Sequence, residues 1–185
     1  VTGTVETADL TGMLRGHKET VAPMTYLRES VLTRADAAVA RIARAATGKA
    51  IDVLDAAHKL SAAVGEAIAY KPGTTGIMTS AAEAVALGEG VCQDHAHALI
   101  AMARSQGQPA RYVSGYLHAT ADGHAHEAAH AWAELYLPGL GWVGFDPANR
   151  TCPDDRYIRL GSGFDAQDAA PIRGISRGGG KEEMD

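Results

Sequence analysis

The spacing of apolar residues predicts helices in the first half of the chain. One apolar face recurs every three or four positions at Ala35, Val39, Ile42 and Ala46. Thr33 is a suitable N-cap for this first helix, which we expect over residues 33–46. A second repeat of the same period predicts a helix over residues 50–69.

A short helix then leads into the stretch with the most distinctive chemistry. Ser80 and Glu83 have the spacing of a capping box, and Gly88 is suited to ending the helix that they begin. Residues 88–100 carry a glycine-punctuated loop into an apolar helix with Cys92 in its first turn. Because this helix is apolar nearly all round, we expect it to be buried.

Cys92 is a candidate nucleophile because of its place in that helix. A thiol at a helix N-terminus faces unpaired backbone N–H groups and the positive end of the helix dipole. Both favour thiolate, the reactive form, over thiol. The alternative is that Cys92 is only a small buried hydrophobic residue.

The apolar spacing changes from helical to alternating in the second half of the chain. This alternation predicts strands over residues 111–118, 130–137, 142–146 and 157–160. Small residues predict a loop over 119–128, and glycine, aspartate and alanine predict an irregular surface tail over 161–180. Helices first and strands second favour an α+β fold with an antiparallel sheet.

Composition limits the class of protein. A chain of 185 residues with 46% hydrophobic content is long enough to bury a core as one domain. A net charge of -5 gives no basic surface for nucleic acid, and no apolar run has the length of a membrane helix, so we expect neither partner. The two cysteines lie in different contexts, which predicts reduced thiols and a cytoplasmic location.

The hairpin predicted over residues 130–146 supplies the partners that a cysteine nucleophile needs. His130 begins one strand and Asp146 ends the other, so the turn brings a base and an orienting carboxylate together. A loop centred on Gly139 sets Asp146 opposite Trp132 and diagonal to His130. Since side chains alternate across a strand, this register places His130 and Asp146 on the same face.

Four separated motifs together resemble the transglutaminase-like superfamily, in particular its bacterial branch. They are GVCQDHAH at residues 90–97, PARYVSGY at 109–116, HAW at 130–132 and GWVGFDP at 141–147. The resemblance covers residues 70–174. It implies a papain-like cysteine-proteinase fold, with N-terminal helices packed on an antiparallel β-sheet.

The resemblance also implies roles for residues and a division of the chain. Cys92 is expected as nucleophile, His130 as general base and acid, and Asp146 as the orienting carboxylate, with no cofactor or metal. Residues 1–28 resemble the remnant of an upstream β-rich region and linker, and residues 29–185 the catalytic core with its irregular tail.

A zinc site is the main alternative for the histidines. His126, Glu127 and His130 spell the pattern H-E-x-x-H, which binds zinc when both histidines share one helix face. The alternation that begins at His130 argues against a helix there. His118 and His124 add further imidazoles near this loop, and solvated histidines are the simpler interpretation.

Three further residues are candidates for the cleft around Cys92. Tyr70 and Gln93 are candidates for an oxyanion hole beside the Cys92 backbone N–H, with simple packing as the alternative for Tyr70. Trp132 belongs either to the hairpin core or to the wall of the cleft.

The sequence therefore predicts cysteine-dependent acyl transfer on amide or peptide carbonyls through a thioester. The expected partner is a protein or peptide that carries the amide. A zinc metallopeptidase and a non-catalytic binding module of the same fold remain as alternatives. Whether water or an amine accepts the acyl group stays open, as does the oligomeric state.

Overall fold

The computed structural model describes residues 3–118 and 129–171 as helices on one face of an antiparallel sheet. A short 3₁₀ helix, Pro23–Leu27, precedes α1, Ala37–Thr47, and α2, Val53–Ala67. The later helices are α3, Ala81–Leu87, and α4, Cys92–Ser105. The strands are β1, Ala69–Tyr70; β2, Glu89–Gly90; β3, Ala110–Leu117; β4, Ala129–Leu137; β5, Gly141–Phe145; and β6, Tyr157–Gly163. The predicted α+β class is confirmed.

The helix caps differ in part from the predicted ones. Ser80 and Glu83 form the expected capping box, and Gly88 ends α3 in the left-handed conformation. The prediction for Thr33 is wrong, because Asp36 caps α1 through the Val39 N–H. Thr33 is instead fully buried, where its hydroxyl accepts a hydrogen bond from Arg104 of α4.

The second helix is shorter than predicted at both ends. Asp52 caps α2 by accepting from the Asp55 N–H. At the other end the chain leaves the helix to form β1, which pairs in parallel with β2 over only two residues. This pairing matters because it ties residue 70 to Gly90, two positions before Cys92.

The main sheet has the strand order β5-β4-β3-β6, with every neighbour antiparallel. Alternate residues of β4, such as Ala133 and Leu135, face the helices and join the main core. Trp132 and Glu134 point to the opposite face, which residues 8–14 of the N-terminal segment cover. That segment is attached to β5 by hydrogen bonds from Leu14 N–H to Trp142 and from Gly144 N–H to Gly12.

Helix α4 is the centre of the molecule. Its residues from Asp94 to Arg104 are all buried, because α1, α2 and α3 pack around it and β4 lies across it. Leu99, Ile100 and Met102 are fully buried in the main core. Truncation of such side chains to alanine costs about 2–5 kcal/mol, so the core holds the Cys92 end of the helix firmly.

The segment after β6 is more ordered than the predicted tail. The strand continues to Gly163 instead of ending at residue 160, and Ala169 packs into the core. Gly163 is required there, because a Cβ would lie 2.7 Å from backbone atoms of Asp168 and Ala169. The rest of that predicted tail, residues 172–180, lies outside the described residues, as does the predicted loop over 119–128.

The N-terminal residues 3–28 contain one 3₁₀ helix and an isolated bridge from Met13 to Val143. Their origin in an upstream β-rich region stays a prediction. Among the described residues, every helix is too short or too polar to cross a membrane.

Candidate active site

Cys92 is the first residue of α4 and is half-buried. The N-cap, Val91, has no side-chain oxygen, so the backbone N–H groups of the first turn depend on other partners. Asp94 supplies one such partner, since its Oδ2 accepts a hydrogen bond from the Val91 N–H at 2.8 Å. The same oxygen accepts from the Thr75 hydroxyl at 2.6 Å, which joins the preceding loop to the helix.

Asp94 also explains why glycine precedes the cysteine. A Cβ on Gly90 would lie 2.8 Å from the Asp94 side chain. The chain can therefore turn into α4 beside a fully buried carboxylate only because residue 90 has no side chain.

The hairpin brings His130 and Asp146 together as its register predicted. Tyr136 pairs with Trp142 and Leu137 with Gly141, so the loop of residues 138–140 is centred on Gly139. Continued to its end, this register sets Asp146 opposite Trp132 and places His130 and Asp146 on one face. His130 Nε2 lies 2.6 Å from Asp146 Oδ2, which confirms the predicted geometry.

Asp146 is completely buried and is held by more than the imidazole. Its Oδ2 accepts hydrogen bonds from the Tyr157 hydroxyl at 2.8 Å and from Asn149 Nδ2 at 2.7 Å. The Asn149 backbone N–H donates to Oδ1 at 3.2 Å. These donors satisfy the charge of a carboxylate that has no contact with solvent.

The third member of the cluster reaches His130 from α4. The Cys92 side chain lies close enough to His130 to help raise the pKa of the imidazole. Because Asp146 occupies Nε2, the nitrogen that remains for the thiol is Nδ1. One imidazole therefore bridges the cysteine at the helix N-terminus and the carboxylate at the end of β5.

Electrostatics favours the charged forms of this bridge. Burial alone lowers the pKa of His130, but the hydrogen bonds and negative charges of Asp146 and Cys92 outweigh burial and raise the pKa to about 9. Burial raises the pKa of Asp146, yet its bonds to His130, Asn149 and Tyr157 hold it below the usual value. At neutral pH the imidazolium donates from both nitrogens.

Trp132 lies beneath this bridge and is buried. Its ring stacks near His130, with centroids 6.2 Å apart, and meets Tyr157 edge-on at 5.4 Å. Gly115, paired with His130 across β3 and β4, makes room for the indole, because a Cβ there would lie 2.7 Å from Trp132. Burial of Trp132 fits the predicted hairpin core, and its role in the wall of the cleft stays a prediction.

The two predicted oxyanion candidates occupy different positions. Tyr70 is 58% exposed, and partial burial together with the charges of Cys92 and Asp146 raises its pKa, which places the phenol near both groups. Gln93 follows Cys92 directly, but its Nε2 is directed to the Ile77 carbonyl at 3.4 Å. The Gln93 side chain is thus engaged by that carbonyl, and the role of Tyr70 as a donor stays a prediction.

Only the end of the zinc pattern lies among the described residues. His130 lies in β4, and His126 and Glu127 fall outside the described residues, as does His124. His118 follows β3, where its backbone N–H bonds to the Arg156 carbonyl. Within residues 3–118 and 129–171, no three His, Cys, Asp or Glu side chains are grouped to hold a metal ion.

Cys152 differs from Cys92 although both thiols are free and half-buried. Both pack against the main core, but burial raises the pKa of Cys152. A raised pKa disfavours the reactive thiolate.

Sequence reasoning missed Asn149, Tyr157 and Asp94. Asn149 follows Asp146 by three residues within a turn, a spacing that allows a side chain to cap backbone N–H groups and is a local signal. Tyr157 reaches Asp146 only because β6 pairs with β3, a long-range contact without a local signature. Asp94 was readable as an acidic residue in the first helical turn.

The sequence of this chain is similar to those of known proteins. The family model described as the transglutaminase-like superfamily matches residues 40–147, more than half of the chain. Uncharacterized protein ML0607 of Mycobacterium leprae is 42% identical over 120 residues, covering 63% of this chain and 42% of that protein. Uncharacterized protein Rv2569c of Mycobacterium tuberculosis is 42% identical over 116 residues, covering 57% and 37%.

Solved structures share the fold. A protein of Cytophaga hutchinsonii that is described as a proposed cysteine protease superposes with a TM-score of 0.71 at 28% identity, over 86% of this chain and 53% of that one. The periplasmic domain of TgpA from Pseudomonas aeruginosa gives 0.52 at 24% identity, over 71% and 49%, and shows the fold alone. The chain spans less than half the length of the curated relatives it matches.

Proposed function

The chain belongs to the transglutaminase-like superfamily, and from that membership we propose that it is a cysteine-dependent acyltransferase or peptidase acting on amide carbonyls. One observation carries the proposal: the His130 imidazole is bonded to buried Asp146 at 2.6 Å and lies beside Cys92 at the start of α4. A nucleophile, a base and an orienting group in that order are the arrangement that thiol acyl transfer requires.

In the first half of the reaction Cys92 acts as thiolate. Its sulfur attacks the amide carbonyl, and the tetrahedral adduct collapses with cleavage of the C–N bond. The leaving nitrogen takes its proton from the His130 imidazolium, whose raised pKa keeps that proton available at neutral pH. The products are ammonia or an amine and a thioester on Cys92.

The oxyanion of the adduct needs donors near the sulfur. The backbone N–H of Cys92 has no partner within the helix, because it belongs to the first turn of α4. The Tyr70 hydroxyl is the second donor that we propose. Loss of one such donor costs about 10²–10³-fold in kcat.

In the second half of the reaction the thioester is resolved. His130, now neutral, removes a proton from water or from an acceptor amine, which attacks the thioester carbonyl. The C–S bond breaks, and Cys92 leaves as thiolate beside the reprotonated imidazole. Asp146 stays ionised throughout and holds the ring in place.

The direct test is to trap the acyl group on Cys92. The protein is mixed with peptides that carry glutamine side-chain amides or internal peptide bonds, quenched in acid and analysed by mass spectrometry. We expect a hydroxylamine-sensitive adduct on Cys92 in the wild-type protein and in Cys152→Ala, and none in Cys92→Ala. Turnover that survives Cys92→Ala but is lost with a chelator would favour the zinc mechanism instead.

A further inference from the structure

Residues 71–79 form a loop that lies against the first turn of α4, beside the nucleophile. The Thr75 hydroxyl donates to Asp94 at 2.6 Å, and Gln93 Nε2 donates to the Ile77 carbonyl at 3.4 Å. Both α4 residues are within two positions of Cys92. The loop is therefore joined to the helix at the point where a substrate carbonyl must approach.

The loop is rigidly built but presents two apolar side chains to solvent. Gly76 and Thr79 hold its turn through bonds from Gly76 N–H to the Thr79 hydroxyl and from Thr79 N–H to the Gly76 carbonyl. Between them, Ile77 is 78% exposed and Met78 is 56% exposed. The Met78 sulfur accepts from Gln167 Nε2 at 2.9 Å, which fixes one side of this residue.

The loop of residues 71–79 carries few charged side chains. Lys71 is the loop's one ionic residue, and it is paired with Glu89 at 2.9 Å. Asp94, the nearest carboxylate in α4, is completely buried. Among the described residues, this loop therefore adds apolar surface and no unpaired charge next to the first turn of α4.

Exposed single hydrophobic residues are common and need no explanation. Ile51, for example, is 88% exposed at the start of α2, the end of that helix remote from β1 and Cys92. Ile77 and Met78 differ because their loop is hydrogen-bonded to Gln93 and Asp94, the two residues that directly follow Cys92. Two residues of extended substrate chain span about 7 Å, which is the reach of a side chain that neighbours the reactive amide.

We propose that Ile77 and Met78 form a specificity subsite that selects acyl donors with apolar side chains within two residues of the reactive amide. This inference rests on the proposed function, because it assumes that an amide carbonyl is delivered to Cys92. It goes further by naming the chemical class of donor.

The test uses peptide chloromethyl ketones, in which the thiolate displaces chloride and forms a bond from sulfur to carbon. Three probes carry leucine, lysine or aspartate at the positions flanking the ketone. We expect the leucine probe to label wild-type Cys92 about tenfold faster than either charged probe, and Ile77→Lys with Met78→Lys to remove that advantage. Ile51→Lys is the matched control and keeps it.

Iodoacetamide serves as the small reference reagent. Because it is too small to reach the loop, its rate at Cys92 measures the reactivity of the thiol itself in each variant, and the rate of each probe is divided by it. Equal labelling by the three probes in the wild-type protein would overturn the subsite and leave the proposed function intact. Failure of all three probes at Cys92, with iodoacetamide still reacting, would overturn both.

Discussion

Two buried carboxylates on the same face of the sheet differ in what neutralises them. Asp146 is paired with His130 at 2.6 Å, and Glu134, four residues along β4 from His130, is paired with Arg111 at 2.7 Å and Arg159 at 2.8 Å. Exposure is 0% for Asp146 and 3% for Glu134. Burial is therefore not what separates them.

The difference lies in whether the partner can give up a proton. An arginine stays charged at every relevant pH, so the Glu134 cluster can hold structure but cannot transfer a proton. Arg111 also binds Glu19 at 2.6 Å and lies 4.0 Å from the Trp142 ring, which fastens the N-terminal segment to the sheet. His130 titrates and also touches Cys92, so the Asp146 pair can serve chemistry.

The largest effect that separates the two sites is on turnover. Asp146→Asn keeps the shape of the side chain but removes the charge that orients the imidazole, so we expect kcat to fall by about 10⁴-fold. Glu134→Gln should change kcat per folded molecule by less than about threefold, because it touches no reacting group. Single-turnover acylation with a peptide amide measures both, and similar losses would remove the distinction.

The next largest effect is on stability and concerns the Glu134 cluster. Glu134→Gln leaves Arg111 with only Glu19, and breaking a buried ion pair on one side costs about 3–5 kcal/mol in free energy of unfolding. Glu29→Gln, at an exposed pair with Arg34, is the control and should cost less than about 1 kcal/mol. Urea unfolding measures the free energy of unfolding of both variants. Equal losses for Glu134→Gln and Glu29→Gln would contradict the structural role of the cluster around Glu134.

A third difference concerns pH. The pKa of His130 is raised from 6.5 to about 9, so its stabilising contact with Asp146 is complete below pH 6.5 and lost as pH rises through 9. On the acidic side, the lowered pKa of Asp146 keeps that contact until the pH falls below the ordinary carboxyl value of 3.8.

Wild type and Asp146→Asn should therefore differ most in free energy of unfolding between about pH 4 and 6.5. This difference should shrink by up to about 3 kcal/mol by pH 10, because Asp146 supplies part of the raised pKa of His130 and Cys92 supplies the rest. The difference in free energy of unfolding between wild type and Glu134→Gln should not change from pH 6.5 to 10, since arginine keeps its proton. Urea unfolding across this range measures both gaps, and a flat response for Asp146→Asn would be inconsistent with the pair.

The smallest effect concerns the supports of Asp146. Tyr157→Phe removes one hydroxyl donor to the buried carboxylate and should cost about 1.5–3 kcal/mol of unfolding free energy. Tyr116→Phe, on an exposed ring of β3, should cost almost nothing. Thermal unfolding of the two variants compares them, and equal stability would show that the Tyr157 bond contributes little.

The parts of the site that the sequence predicted correctly depend on local signals. The Pro-Gly turn and the alternation of β4 and β5 determine the hairpin register, and that register determines which face His130 and Asp146 share. The capping box of α3 and the glycine after it have the same local character.

The parts that could not be predicted depend on distant contacts. Thr33 has the chemistry of an N-cap, but Arg104, 71 residues away, takes its hydroxyl. Strands β1 and β2 have two residues each, too few to show a period. Tyr157 bonds to Asp146 only when β6 pairs with β3, and no local sequence pattern predicts that pairing.

The central claim is that Cys92, His130 and Asp146 act as one unit, and site-resolved alkylation by iodoacetamide at pH 6 tests it most directly. Cys92 lies at a helix N-terminus beside an imidazolium, which is the setting of reactive thiols, whereas burial raises the pKa of Cys152. We predict that Cys92 is modified well before Cys152, that acyl transfer is lost in step, and that Asp146→Asn slows the modification. Acyl transfer that persists after Cys92 is fully alkylated would contradict the account.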